Sequence, residues 1–133
     1  MEHGCSFFTT QLFFDNSVYY HFLYRLLAKG VTVPIVAGIM PVTSLSQLRR
    51  TEQLSGTPIP RRFAALAERF GDNPRAMRQA GIMYATEQII DLYANGVNHV
   101  HLYTMNRPDI AREIFANLSE IFLPEETAHE TAV

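Results

Sequence analysis

Phe8-Thr-Thr-Gln-Leu-Phe-Phe-Asp15, close to the start of the chain, decides the fold class. Its first seven residues are aromatic, β-branched, aliphatic or amide, and Asp15-Asn16 stops the run. A helical pattern begins almost at once. Strand, polar break and helix form the opening half of a βαβ unit. Alternation places Thr9, Gln11 and Phe13 on one face and Phe8, Thr10, Leu12 and Phe14 on the other. A buried strand with Gln11 inside it must give that amide a partner, in the protein or in a ligand.

Working outward, the same layout recurs twice. Asp15-Asn16-Ser17 is an N-cap cluster, and Tyr19, Phe22, Leu23, Leu26 and Leu27 follow at helical spacing. Lys29-Gly30 ends that helix. Val31-Thr-Val-Pro-Ile-Val-Ala-Gly38 reads as the second strand, with Pro34 near its start because proline lacks a ladder donor. Gly38-Ile-Met-Pro-Val-Thr-Ser44 is a turn, and Ser44 caps a short helix over Leu45 to Glu52. A third helical stretch runs from Pro60 to Phe70. Asn73-Pro74 opens a fourth, with Ile82, Ala85, Ile89 and Leu92 on its apolar face and Asn95-Gly96 at its end. Val97 to Thr104 is the third strand. Asn106-Arg107-Pro108 starts the last helix, with Ile110, Ile114, Phe115, Leu118, Ile121 and Phe122 on its inner face. From Pro124 onward a frayed, flexible tail is expected. Three strands joined by long crossovers imply a parallel sheet and an α/β fold. Such a sheet is either a small open layer or a segment of a (β/α) barrel.

Composition sets outer limits. The chain has 133 residues, 47% hydrophobic and 18% charged, the balance of one globular domain. A formal charge of −2 gives no global attraction to nucleic acid or an anionic membrane. Seven arginines lie between Arg49 and Arg78, interleaved with Glu52, Glu68 and Asp72, and read as solvated helix faces. The single cysteine, Cys5, excludes an internal disulfide and fits a reducing compartment. No apolar run approaches the ~20 residues of a membrane span, and no export signal is seen, so a cytoplasmic protein is expected. The abrupt start on a strand leads to the expectation that the chain is part of something larger.

Sites in parallel α/β folds form at the carboxyl ends of the strands. Those ends span Gln11 to Asp15, Gly38 to Ser44 and Tyr103 to Arg107, with Gln47 able to lean over the same rim. This set binds rather than catalyses: it holds no carboxylate pair and no nucleophile with its base. Arg107 is either a surface residue at a helix start or an anion contact. His99 and His101 alternate onto one strand face without a third ligand at metal spacing. Asp15 is a cap or a ligand, with capping favoured. Met40, Met77, Met83 and Met105 are expected in the core or lining a pocket.

Thr10-Gln-Leu-Phe-Phe-Asp15, Val36-Ala-Gly-Ile-Met-Pro-Val42 and Tyr103-Thr-Met-Asn-Arg107, in that order, resemble the last three strands of the methylenetetrahydrofolate reductase family. Arg69-Phe-Gly-Asp72 and Gly81-Ile-Met-Tyr-Ala-Thr-Glu-Gln88 extend the similarity, which runs from about Cys5 to Phe122. The resemblance implies a flavin-binding (β/α)8 (TIM) barrel. It implies reduction of 5,10-methylenetetrahydrofolate to 5-methyltetrahydrofolate with NAD(P)H through FAD, in one-carbon and methionine metabolism. The family's folate-contacting glutamines fall on Gln11 and Gln47, its arginine falls on Arg107, and Gln11 also takes the nicotinamide contact. A family aromatic that stacks on substrate aligns near Thr51, and Met105 replaces a leucine. The family's catalytic glutamate and most FAD contacts lie on earlier strands, so no catalytic residue and no metal ligand is assigned here. The resemblance makes residues 1–123 the carboxyl-terminal portion of a barrel, with its last three strands and their helices. A non-catalytic folate-binding module and a complementing subunit of a split barrel are the alternatives. The partners implied are the folate, the nicotinamide nucleotide and either a homo-oligomer or a missing amino-terminal barrel half.

Overall fold

The computed structural model describes residues 4–122. The expected tail at 124–133 lies outside the described residues. The elements run β1 (Phe8–Leu12), α1 (Asn16–Ala28), β2 (Ile35–Ile39), α2 (Leu45–Ser55), α3 (Arg61–Phe70), α4 (Pro74–Ala94), β3 (Val100–Leu102), α5 (Pro108–Asn117) and α6 (Ser119–Phe122). The three strands form one sheet in the order β1-β2-β3, and both pairings are parallel. The α/β class and parallel sheet read from the sequence are therefore observed. None of the described helices is long and apolar enough to cross a membrane.

Two cores hold the sheet. On one side, Ile35, Ala37 and Ile39 of β2 pack against Tyr19 of α1, Ile82, Ala85, Ile89 and Leu92 of α4, and Ile110 and Ile114 of α5. Every second residue of β2 supplies this contact, as a pleated strand requires. The other core sits beyond the carboxyl ends of the strands. Phe14, Met40 and Val42 leave β1 and β2 there and meet Leu48, Phe63, Ala67 and Met77 from α2, α3 and α4. The long helix α4 serves both cores, which explains why its buried face is about half its circumference.

Caps follow the sequence closely. Asp15 accepts from Ser17 N–H at 2.9 Å, Ser44 from Gln47 N–H at 3.2 Å, and Asn73 from Ala76 N–H at 3.1 Å. Gly56 closes α2 in the left-handed region, so that helix outlasts its expected end by three residues and stops at Ser55. The strands are shorter than their apolar runs. β1 stops at Leu12, because Phe13 and Phe14 turn into the two cores; β2 starts only after Pro34, whose carbonyl accepts from Phe8 N–H at 3.0 Å.

The burial of β1 differs from expectation. Gln11 is exposed, and so are Phe8 and Thr9, because β1 is an edge strand with nothing paired on its outer side among the described residues. The inner face assigned to α1 is only partly covered: Tyr19 is buried, while Phe22 is 45% and Leu27 56% exposed. Phe115 and Ile121 are likewise exposed, although Ile110, Ile114 and Leu118 are buried. Met40 and Met77 are core residues; Met83 lines an open cleft, and Met105 is exposed in a turn.

Two glycines allow close approach. A Cβ on Gly38 would sit 2.7 Å from the Thr10 carbonyl oxygen and 2.9 Å from the Tyr103 ring. A Cβ on Gly81 would sit 1.7 Å from the Val42 carbonyl oxygen, so α4 touches the backbone leaving β2. Helix propensity alone would make Gly81→Ala stabilising by about 1 kcal/mol. The clash is with backbone, which has little room to move, and it dominates. Gly81→Ala is expected to lose about 2 kcal/mol or more in urea unfolding, the range of core overpacking.

A polar clamp joins α1 to α4. The Tyr20 hydroxyl donates to the Asp91 carboxylate at 2.7 Å, and the Asn16 amide donates to it at 2.8 Å. These donors hold the Asp91 carboxyl below its usual range, the Asn16 bond contributing most. Burial first, and the Asp91 carboxylate second, push the Tyr20 phenol up to about 12 from 10.0. The unfolded chain then releases this proton before the folded one does. Stability from Tyr20 is thus complete below pH ~10 and falls as pH rises towards ~12. Denaturation midpoints across that window should decline less steeply in Tyr20→Phe than in the parent chain.

Candidate functional site

The turn that leaves β2 is the centre of the rim. Pro41, Val42 and Thr43 are buried there, pressed between β2, α2 and α4. Gln47, in the first turn of α2, folds back on this turn. Its Oε1 accepts from Thr43 N–H at 3.0 Å, and its Nε2 donates to the Pro41 carbonyl at 3.2 Å. An N–H can only donate and a carbonyl can only accept, so the amide has one allowed orientation.

Arg107 arrives from the opposite side. Tyr103 N–H donates to the Ile39 carbonyl at 2.8 Å, which keeps β3 and its exit beside β2. Met105 and Asn106 then take positive φ angles of 51° and 63°. Asparagine tolerates that region; methionine there costs about 1 kcal/mol. The sequence reading made Asn106 part of the helix start, but Arg107 itself occupies the N-cap, and Asn106 forms the turn before it. Strained turns of this kind gather at functional sites. This one delivers the guanidinium to the rim: Arg107 Nη1 donates to the Thr43 hydroxyl at 3.4 Å, and Nη2 lies 3.4 Å from the Asp109 carboxylate.

The polar chain continues outward. Asp109 also pairs with Arg78 at 3.2 Å, and Arg78 with Glu113 at 2.8 Å. The Arg78 guanidinium beside it holds the Asp109 carboxyl below its usual range. These pairs are largely solvent-exposed and direct side chains more than they stabilise the fold.

Gln47 and Arg107, two of the three residues singled out from the sequence, therefore converge on Thr43. Gln11 does not join them. It lies on the open edge of β1, in a groove of about 580 Å³ shared with Phe8, Val18, Phe22, Leu26 and Pro58. Its only hydrogen bond among the described residues is local, from Leu12 N–H to its Oε1 at 3.3 Å. The sheet links the two regions: Tyr103 donates its hydroxyl to the Thr10 carbonyl at 3.1 Å, across Gly38. Thr51 is buried and holds no aromatic position on the rim.

Sequence reasoning missed Thr43, Asp109 and Gln88. Thr43 was visible only as a turn residue, and its role depends on what two distant helices bring to it. Gln88 is buried in α4 and donates to the Phe13 carbonyl and to Asn16 Oδ1, each at 3.1 Å. It stands three residues after Ala85 and four before Leu92, at the border of the apolar face, and that spacing was the signal of its burial. His99 and His101 are both exposed, His101 lying edge-on to Tyr103. Among the described residues no group of three acidic, histidine or cysteine side chains is placed to hold a metal ion.

Sequence comparison with known proteins shows the family. The sequence model of the family described as methylenetetrahydrofolate reductase matches residues 1–119. A maize protein named methylenetetrahydrofolate reductase (NADH) 1 is 35% identical over 121 residues, covering 91% of this chain and 20% of the relative. A probable methylenetetrahydrofolate reductase (NADPH) of Caenorhabditis elegans is 34% identical over 116 residues, covering 86% and 18%. The 5,10-methylenetetrahydrofolate reductase of Pectobacterium carotovorum is 29% identical over 114 residues, covering 86% and 38%. The chain thus spans a fifth of the maize relative's length and under two-fifths of the bacterial one's. With the family model matched over most of its length, this chain belongs to the methylenetetrahydrofolate reductase family.

Proposed function

We propose that this chain is the carboxyl-side arc of a (β/α)8 barrel that reduces 5,10-methylenetetrahydrofolate to 5-methyltetrahydrofolate. Its part is to grip the folate. The observation that carries this reading is the convergence of Gln47 and Arg107 on Thr43 at the carboxyl rim of a parallel sheet, where barrel enzymes bind substrate. The guanidinium keeps N–H groups beyond those bonded to Thr43 and Asp109, and suits an acceptor-rich ligand such as a pterin or a glutamyl carboxylate. Gln11 takes the folate and nicotinamide contact on the β1 side once a neighbouring strand narrows the groove that is open here. The donor is a nicotinamide nucleotide, named NADH in the maize relative and NADPH in the nematode one. The cytoplasm suits the exposed free thiol of Cys5.

The described residues do not fit FAD by themselves. Gln11 stands on an open edge, and the rim around Thr43 is a set of single side chains without an enclosure for a dinucleotide.

The open edge of β1 favours a second, compatible reading: a separate polypeptide supplies the preceding strands. The groove beside Phe8, Val18 and Phe22 is mostly apolar, and the β1 edge next to it can pair with a further strand.

The test is a pair of measurements. The 133-residue chain alone should purify without a flavin absorbance spectrum and without reductase turnover. Co-expressed with the first five βα units of the Pectobacterium relative, it should co-purify with them, carry flavin and reduce methylenetetrahydrofolate. Arg107→Ala in that complex should weaken 5-methyltetrahydrofolate binding by about tenfold or more, the scale of one charged hydrogen bond. Flavin on the chain alone, or wild-type affinity in Arg107→Ala, would overturn the assignment.

A further inference from the structure

We infer that Thr43 is a positioning residue that sets which hydrogen-bonding groups Gln47 and Arg107 offer to a ligand. The inference rests on the proposed reading of those two residues as folate contacts.

A glutamine amide can turn over and present either a donor or an acceptor. Here it cannot. Thr43 N–H donates to Gln47 Oε1 at 3.0 Å, and the Thr43 hydroxyl oxygen lies 3.5 Å from the same oxygen, a long contact beside the firm one. Oε1 is thereby turned toward Thr43. Nε2 spends one hydrogen on the Pro41 carbonyl at 3.2 Å. What remains to the outside is one N–H donor. The same hydroxyl oxygen accepts from Arg107 Nη1 at 3.4 Å, which aims the guanidinium at the turn. Arg107 has only donors in any state. Gln47 and Arg107 together thus form a face that donates and does not accept.

Thr43 is suited to this role. It is 5% exposed, so water does not compete for its hydroxyl. The turn beneath it is held by the contact of Val42 with Gly81, so its backbone N–H has a fixed direction. Its hydroxyl is the one side-chain group bonded to both Gln47 and Arg107 among the described residues. The face selects a ligand edge made of carbonyl, ring nitrogen or carboxylate acceptors, and rejects one that turns an N–H or O–H toward Gln47.

Thr43→Val removes the hydroxyl and keeps the shape; Thr43→Ser restores the hydroxyl. Two readouts separate this inference from the functional reading beneath it. Without ligand, nitrogen–proton NMR of the 133-residue chain follows the Gln47 side-chain amide and the Arg107 Nε–H. Both sets of signals should move in Thr43→Val and return in Thr43→Ser. With ligand, titration of 5-methyltetrahydrofolate into the co-expressed complex should show affinity about fivefold weaker in Thr43→Val, the scale of one hydrogen bond. The serine variant should recover most of it, and valine should add little in an Arg107→Ala background. If Thr43→Val does not fold, Thr43→Ala carries the same expectations. NMR signals unmoved by valine, or an equal valine effect with and without Arg107, would overturn the inference. If the co-expressed complex takes up no folate, the functional reading falls, while the NMR comparison still decides the role of Thr43.

Discussion

The contact between Gly81 and the Val42 carbonyl governs the layout of this protein. It brings α4 against the backbone leaving β2, with no side chain between them. From that point α4 reaches down over the sheet, through Ile82, Ala85, Ile89 and Leu92, and up to the second core, through Met77. One helix thus ties the two cores together. The same contact holds the turn that carries Pro41, Val42 and Thr43, so packing and site share one constraint. Gly38 plays a matching part on the sheet itself, leaving room for the Tyr103 ring to cross and reach Thr10.

The remaining surfaces are less settled energetically. Among the described residues β1 and β3 each have an unpaired side, and β3 is three residues long. Phe8, Phe22 and Leu27 stand exposed near the β1 edge, and Phe115 is exposed on α5. Each of these side chains is about half exposed and forgoes about 1 kcal/mol of burial. Unpaired edges of this kind are templates for pairing with further strands. The same edge explains why Gln11 stands apart from Gln47 and Arg107. The wall that would enclose its groove is not supplied by the described residues.

The rim around Thr43 is built differently. Its hydrogen bonds come from a buried turn, a helix first turn and the turn after β3, three segments joined only in the folded chain. Each bond is modest by itself, and the geometry is held by the cores beneath it. The left-handed turn at Met105 and Asn106 is an unfavourable backbone that persists because Tyr103 on one side and α5 on the other are already fixed.

By itself the sequence determined the α/β class, the order of elements, the caps at Asp15, Ser44 and Asn73, and the family. Those features are local: periodicity, cap chemistry and short ordered motifs are written in neighbouring residues. It also marked Gln47 and Arg107, through their places near strand carboxyl ends and through the family resemblance. Tertiary structure alone decided that Gln11 is exposed, that α1 and α5 are half-covered, and that Thr43 joins Gln47 to Arg107. Each of these depends on which surfaces meet across dozens of residues of chain, and on which edge is left without a neighbour. Hydrophobic spacing tells a helix which face to bury, but only the assembled sheet determines whether anything is there to bury it against.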